Sequence, residues 1–134
     1  MDDVLIYKAQ SIERCIKRVQ EEYLGFEEEI NTNFTKQDAI ILNIESACQA
    51  CIDMGSHFVK IHKLGIPQSS KDVFQILFSN KIIDNELNKK LQAMVGFRNI
   101  AVHDYSNLSL EILHAIIKNE LDELLEFSKQ ILLK

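Results

Sequence analysis

From Ile40 to Ile61 the apolar residues Ile40, Ile44, Ala47, Cys51, Met54, Phe58 and Ile61 recur at alternating steps of four and three. Only a helix gathers such a series on one side. Ser46, Gln49, Asp53, Ser56 and Lys60 keep the same rhythm on the opposite face. The run predicts a long amphipathic helix that opens at Thr35. Asp38, three residues on, approximates a capping box, and Phe34 stands where an apolar staple would. Gly65-Ile66-Pro67 ends the helix.

The remainder follows the same period. Leu5, Ala9, Ile12, Ile16, Val19 and Tyr23 predict a first helix over roughly Asp3 to Tyr23. Gly25, the acidic run Glu27-Glu28-Glu29 and Asn31 to Asn33 read as a solvated loop. Ser69 and Asp72 cap a short third helix that reaches about Ser79. A fourth begins near Asn85, and a last one runs from about Ser109 to the C-terminus on Leu110, Leu113, Ile117, Leu121, Leu124 and Ile131. One proline and four glycines in 134 residues leave little material for strands or linkers. The expected fold is an all-α antiparallel bundle of four long helices plus one short helix, in a single domain over residues 1–134.

Composition narrows the setting. No segment approaches the roughly 20 unbroken apolar residues of a membrane span. Met1-Asp2-Asp3 is acidic where a secretory signal would be positive. Cys15, Cys48 and Cys51 are an odd set without a disulfide framework, so a cytoplasmic protein is expected. A net charge of −5 argues against coating nucleic acid by bulk electrostatics. Local cationic windows remain: Lys89, Lys90 and Arg98 stand without a carboxylate between Leu87 and His103, as do Lys60 and Lys63 between Met54 and Ser70.

The fourth helix departs from the pattern in two places. At about 100° per residue, Arg98 projects into the sector of Leu87, Leu91, Met94, Val95 and Val102. A guanidinium there needs a partner or a cavity. It pairs with a carboxylate such as Asp38 or Asp53, snorkels past its neighbours, or serves a functional site. The opposite face turns apolar at Ala93, Phe97 and Ile100, so either the last helix covers it or a second copy of the chain does; a homodimer is favoured. His103 shares a face with Asn99, some way round from Arg98. Asp104-Tyr105-Ser106-Asn107 reads as a turn, and unwinding there would let Arg98 and His103 converge. Metal-free RNA cleavage needs a group that moves protons near neutral pH, which suits histidine, and a fixed cation for the phosphorane, which suits arginine.

The string Arg98-Asn99-Ile100-Ala101-Val102-His103-Asp104-Tyr105 resembles the R-N-x-x-x-H-x-Y signature of the HEPN superfamily in its HepT toxin branch. Thr35-Lys36-Gln37-Asp38, Leu64 to Ser70 and Met94-Val95-Gly96-Phe97 extend the resemblance over essentially the whole chain. It implies a type VII toxin: a metal-independent endoribonuclease acting on tRNA or mRNA, without cofactor, as a helical homodimer. Arg98 and His103 would be catalytic and Asn99 a polar support. The implied partner is a minimal nucleotidyltransferase antitoxin that transfers AMP from ATP to Tyr105. The alternative is a non-catalytic helical dimer that docks a nucleotidyltransferase or a nucleotide.

Other residues with chemical potential carry less. Cys48-Gln49-Ala50-Cys51 has redox or zinc spacing but lies mid-helix, so core thiols are expected. His57 and His62, five apart, do not stack as a metal pair. His114 has no adjacent partner in sequence. Tyr7 and Tyr23 read as packing or interface aromatics, and Gly96 as a point of close helix approach.

Overall fold

In a computed structural model, which describes residues 2–134, helices form at every predicted position. Met1, the first residue of the acidic N-terminus, lies outside the described residues. Helix α1 spans Asp3–Tyr23, and the Asp2 carboxylate accepts from the Val4 and Leu5 amides at 2.9 and 3.2 Å. After a 3₁₀ turn at Glu29–Asn31, α2 spans Phe34–Ile61. Its cap is Asn33, whose side-chain oxygen accepts from the Lys36 amide at 3.1 Å. The helix therefore opens one residue before Thr35. Phe34 is its first residue, after the cap rather than before it where a staple stands, and is 72% exposed.

Helix α3 covers Ser70–Ser79, with the Ser69 hydroxyl accepting from the Asp72 amide at 3.1 Å. Helix α4 covers Asn85–His103, capped by Asp84 on the Leu87 amide at 2.8 Å. The expected single last helix is two: α5 over Leu110–Asn119 and α6 over Leu121–Leu132, broken at Glu120. Among the described residues the bundle thus has three long and three shorter helices. Ile117 and Leu121 are four apart, so the apolar stripe stays in phase across the break and periodicity passes straight through it.

Helix α2 is the hub, packed on α1, α3, α4 and α6. Phe74 of α3 and Phe127 of α6 meet edge to face beneath it, with ring centroids 5.4 Å apart. The close approach is at Gly55, not Gly96. A Cβ at Gly55 would sit 2.8 Å from Val73 Cγ1 and 3.3 Å from Leu77 Cδ1, so α3 lies almost on the α2 backbone. At Gly96 a Cβ would meet nothing nearer than Lys71 Nζ, at 3.9 Å.

His114, without a partner in sequence, acquires two in space. Its Nδ1 lies 2.7 Å from the Tyr23 hydroxyl and its Nε2 2.9 Å from Asn31 Oδ1. An amide oxygen only accepts, so Nε2 donates to Asn31 and Nδ1 accepts from Tyr23. The relay ties α5 to the end of α1 and the 3₁₀ turn. Tyr23 is buried, which pushes its phenol above the usual range, with Glu27 adding to the shift. Tyr23→Phe leaves the imidazole nitrogen unpaired and should cost about 1 kcal/mol, roughly 3–5 °C in thermal midpoint. A midpoint unchanged within 1 °C would show that the relay contributes nothing. Among the described residues no helix is long and apolar enough to cross a membrane.

Candidate active site

Leu87, Leu91, Met94 and Val95 bury one side of α4, as its periodicity requires. Val102, in the same sector, is 41% exposed, so the sector opens towards solvent at the C-terminal end. Arg98 sits at this boundary, half-buried. Its Nε is buried without a hydrogen-bond partner among the described residues, and its Nη1 donates to Asn99 Oδ1 at 3.3 Å.

Neither carboxylate weighed as its partner takes it. Asp53 pairs with Lys8 at 3.1 Å and accepts from Gln49 at 2.8 Å, while Asp38 accepts from Tyr105. Arg98 is thus a cation whose burial no carboxylate offsets among the described residues, held by the neighbouring asparagine. Buried donors left open in a native fold call for an explanation.

The positive charge of Arg98 acts on Cys48 of α2. Burial pushes the Cys48 thiol up to about 12, with Arg98 pulling it down and Glu45 pushing it up. Cys51 is raised well above the usual thiol range, chiefly by burial. Both are protonated core thiols, as expected of a mid-helix pair.

His103 is the last residue of α4 and is exposed. The helix does not unwind before it: the Asp104 amide still donates to the Ile100 carbonyl at 2.8 Å. Asp104 then breaks the helix with φ −148° and ψ 50°. Both of its carboxylate oxygens accept from the Asn107 amide group at 2.9 Å, fixing the 3₁₀ turn Tyr105–Asn107. Arg98 and His103 therefore stay about 140° apart around the axis and about 7.5 Å apart along it. The unwinding that would have let them converge does not occur before His103. Asn99, one turn before His103, links the guanidinium to the histidine's face instead.

Tyr105 lies across from the start of α2. Its hydroxyl donates to the Asp38 carboxylate, a pairing the sequence did not suggest. The phenol is pushed up to about 12, first by burial and then by the hydrogen bond and charge of Asp38. The ring remains 44% exposed.

The cationic windows are partly occupied. Lys90 binds Glu123 at 3.0 Å and Glu86 at 3.4 Å, whereas Lys89 is exposed. His57 binds Asp2 at 2.8 Å, and His62 packs on Phe58 with ring centroids 4.2 Å apart. Lys71 on α3 brings an ammonium over Gly96, a cation that only the tertiary fold places near the motif. The far side of α4 is covered only in part. Helix α6 contacts α4, but between α4 and α5 there runs a groove of about 640 Å³, lined by Ala93, Phe97, Ile100, Leu108 and Ile112.

The chain can be set against known proteins on this geometry. A family model described as "Ribonuclease HepT-like" matches residues 12–131. The chain is 44% identical over 127 residues to the mRNA nuclease HepT of Shewanella oneidensis, covering 95% of each protein. It superposes on the tri-AMPylated Shewanella oneidensis HEPN toxin, solved in complex with its MNT antitoxin, with a TM-score of 0.95, 42% identity and 100% of both chains covered. A solved toxin–antitoxin with AMP-PNP gives a TM-score of 0.95 and 41% identity, over 99% of this chain and 100% of the other.

Proposed function

Because the chain belongs to the HepT-like ribonuclease family, we propose that it is the RNA-cleaving toxin of a HEPN/MNT toxin–antitoxin pair, active in the cytoplasm as one domain over residues 1–134. The Shewanella oneidensis relative is an mRNA nuclease, and mRNA is the substrate assigned here. The observation that carries the reading is Arg98, with a buried, open Nε and an Nη1 oriented by Asn99, on the helix that ends at the exposed His103.

In the cleavage step His103 moves protons, taking the one on the 2′-hydroxyl or giving one to the leaving 5′-oxygen. The 2′-oxygen attacks phosphorus, the bond to the 5′-oxygen breaks, and a 2′,3′-cyclic phosphate remains. Arg98 faces the charge that builds on the phosphorane oxygens, with a planar fork that keeps its proton. The reaction draws on no metal and no cofactor.

One copy holds Arg98 and His103 on different sides of α4. Pairing of two copies across the α4–α5 groove, where Ile100 and Ile112 are exposed, would bury that face and set the two motifs around one cleft. One solved relative is a tri-AMPylated toxin in complex with an MNT antitoxin, and another is a toxin–antitoxin with AMP-PNP. The corresponding partner here is a nucleotidyltransferase that transfers AMP from ATP to Tyr105. The added nucleotide places bulk and negative charge two residues from His103 and so opposes RNA binding.

Purified protein incubated with mRNA in a chelator should leave cyclic phosphate ends, and light scattering should give twice the chain mass. The absence of cleavage, with a correctly folded protein, would overturn the nuclease assignment. It would favour a dimer that only docks a nucleotidyltransferase. A monomeric mass alone would overturn the pairing.

A further inference from the structure

Asp38 is exposed at the start of α2, enters no ion pair among the described residues, and spends its carboxylate on the Tyr105 hydroxyl alone. The contact joins residues 67 positions apart and lies at the surface, where a hydrogen bond adds little to stability. It is not needed to hold the turn, since Asp104 and Asn107 already do so. The fold thus presents a carboxylate to the one phenol the proposed modification uses.

We propose that Asp38 is the general base for adenylylation of Tyr105, supplied by the toxin itself rather than by its partner. The inference rests on the assignment of Tyr105 as the acceptor. The phenol needs such help: burial and the nearby charge push its pKa up to about 12, so phenolate is scarce at neutral pH. As the tyrosyl oxygen approaches the α-phosphorus of ATP held by the transferase, the hydroxyl becomes acidic and its proton passes to Asp38. The new bond joins the tyrosyl oxygen to phosphorus. The bond to the β-phosphate oxygen breaks, pyrophosphate leaves, and Asp38 returns the proton to solvent.

The same chemistry limits the role to the first nucleotide. Once the phenol is esterified it has no proton to give, and any further AMP must attach to a ribose hydroxyl, out of this contact. Asp38 therefore controls initiation and not extension.

The test uses full-length protein, the nucleotidyltransferase encoded with it and ATP, followed by intact mass. In Asp38→Asn the amide oxygen still accepts the hydrogen bond but cannot take the proton. The first AMP should be added about 100-fold more slowly, and Asp38→Ala should match it. Unmodified chain should accumulate beside fully extended chain, without a one-AMP intermediate. The Asp38→Asn rate should climb about tenfold per pH unit between pH 7 and 9, as hydroxide takes over, while the wild-type rate stays nearly flat.

Asp38→Asn at the wild-type rate, with Asp38→Ala slow, would reduce Asp38 to a positioning residue and overturn the proposal alone. Equal rates for all three proteins would do the same. No gain of mass in the wild type, or a gain that survives Tyr105→Phe, would overturn the acceptor assignment and the base with it. Thermal midpoints within about 2 °C of wild type show that the variants are folded, as expected for an exposed site.

Discussion

Alanine in place of His103 should lower RNA cleavage by about 10²–10⁴-fold, the usual worth of a positioned proton-transfer group. The side chain is exposed at the end of α4 and makes no hydrogen bond among the described residues, so the loss should appear in the rate and not in stability. Arg98→Ala should cost about 10²–10³-fold through the lost stabilisation of the phosphorane. Arg98→Lys keeps the charge but not the planar fork and should fall between.

Stability should move little on removing Arg98. Its buried, unpartnered Nε already costs about 1–3 kcal/mol of desolvation, which offsets the packing its stem contributes. Single-turnover cleavage of an mRNA fragment in chelator, beside urea titrations of each variant, reads both quantities. Wild-type rates in both alanine variants would remove the pair from the reaction. A loss of more than about 3 kcal/mol in Arg98→Ala would make that arginine a structural residue.

The second large effect is on the fold. Phe127 is fully buried in α6, edge to face with Phe74 and beside the α2 backbone at Gly55. Phe127→Ala removes the transfer energy of the ring and leaves a cavity where three helices meet. The expected cost is about 3–5 kcal/mol, read as a lower urea midpoint with an unchanged slope and a fall of roughly 10 °C or more in thermal midpoint. A loss below 1 kcal/mol would mean that the site collapses around the missing ring and that this contact is not central.

The long helices were legible because each writes its own apolar stripe. The stripe of α2 is buried from Ile40 through Ile44, Ala47, Cys51, Met54 and Phe58, and only its last member, Ile61, is exposed. What periodicity could not show was geometry that leaves the phase intact or joins residues distant in sequence. The break at Glu120 keeps Ile117 and Leu121 in step, so α5 and α6 read as one helix. Asn33, rather than Thr35, caps α2 because the stronger capping residue stood two positions earlier, inside what read as a loop.

The site divides in the same way. Arg98, Asn99, His103 and Tyr105 are a local string and could be picked out directly, and the Arg98–Asn99 contact follows from adjacency. Asp38 was noticed as a helix-start residue and as a candidate partner for Arg98. Its contact with Tyr105 depends on where a turn after α4 lands against α2, which no local pattern encodes. His114, set aside for want of a neighbour in sequence, finds Tyr23 and Asn31 across the bundle.

Gly55 has a consequence for which sequences this fold can accept. In a long helix glycine is about 1 kcal/mol worse than alanine, so local preference alone would replace it. The position resists because Val73 occupies the space of the missing carbon, and Val73, β-branched and buried, has little freedom to turn away. Local and global preference are in conflict here, and the global one prevails. Relieving the conflict would lift α3 from α2, and α3 also packs against α4, the helix of Arg98 and Asn99. A substitution that looks harmless on helix propensity would thus be selected against at a site it never touches.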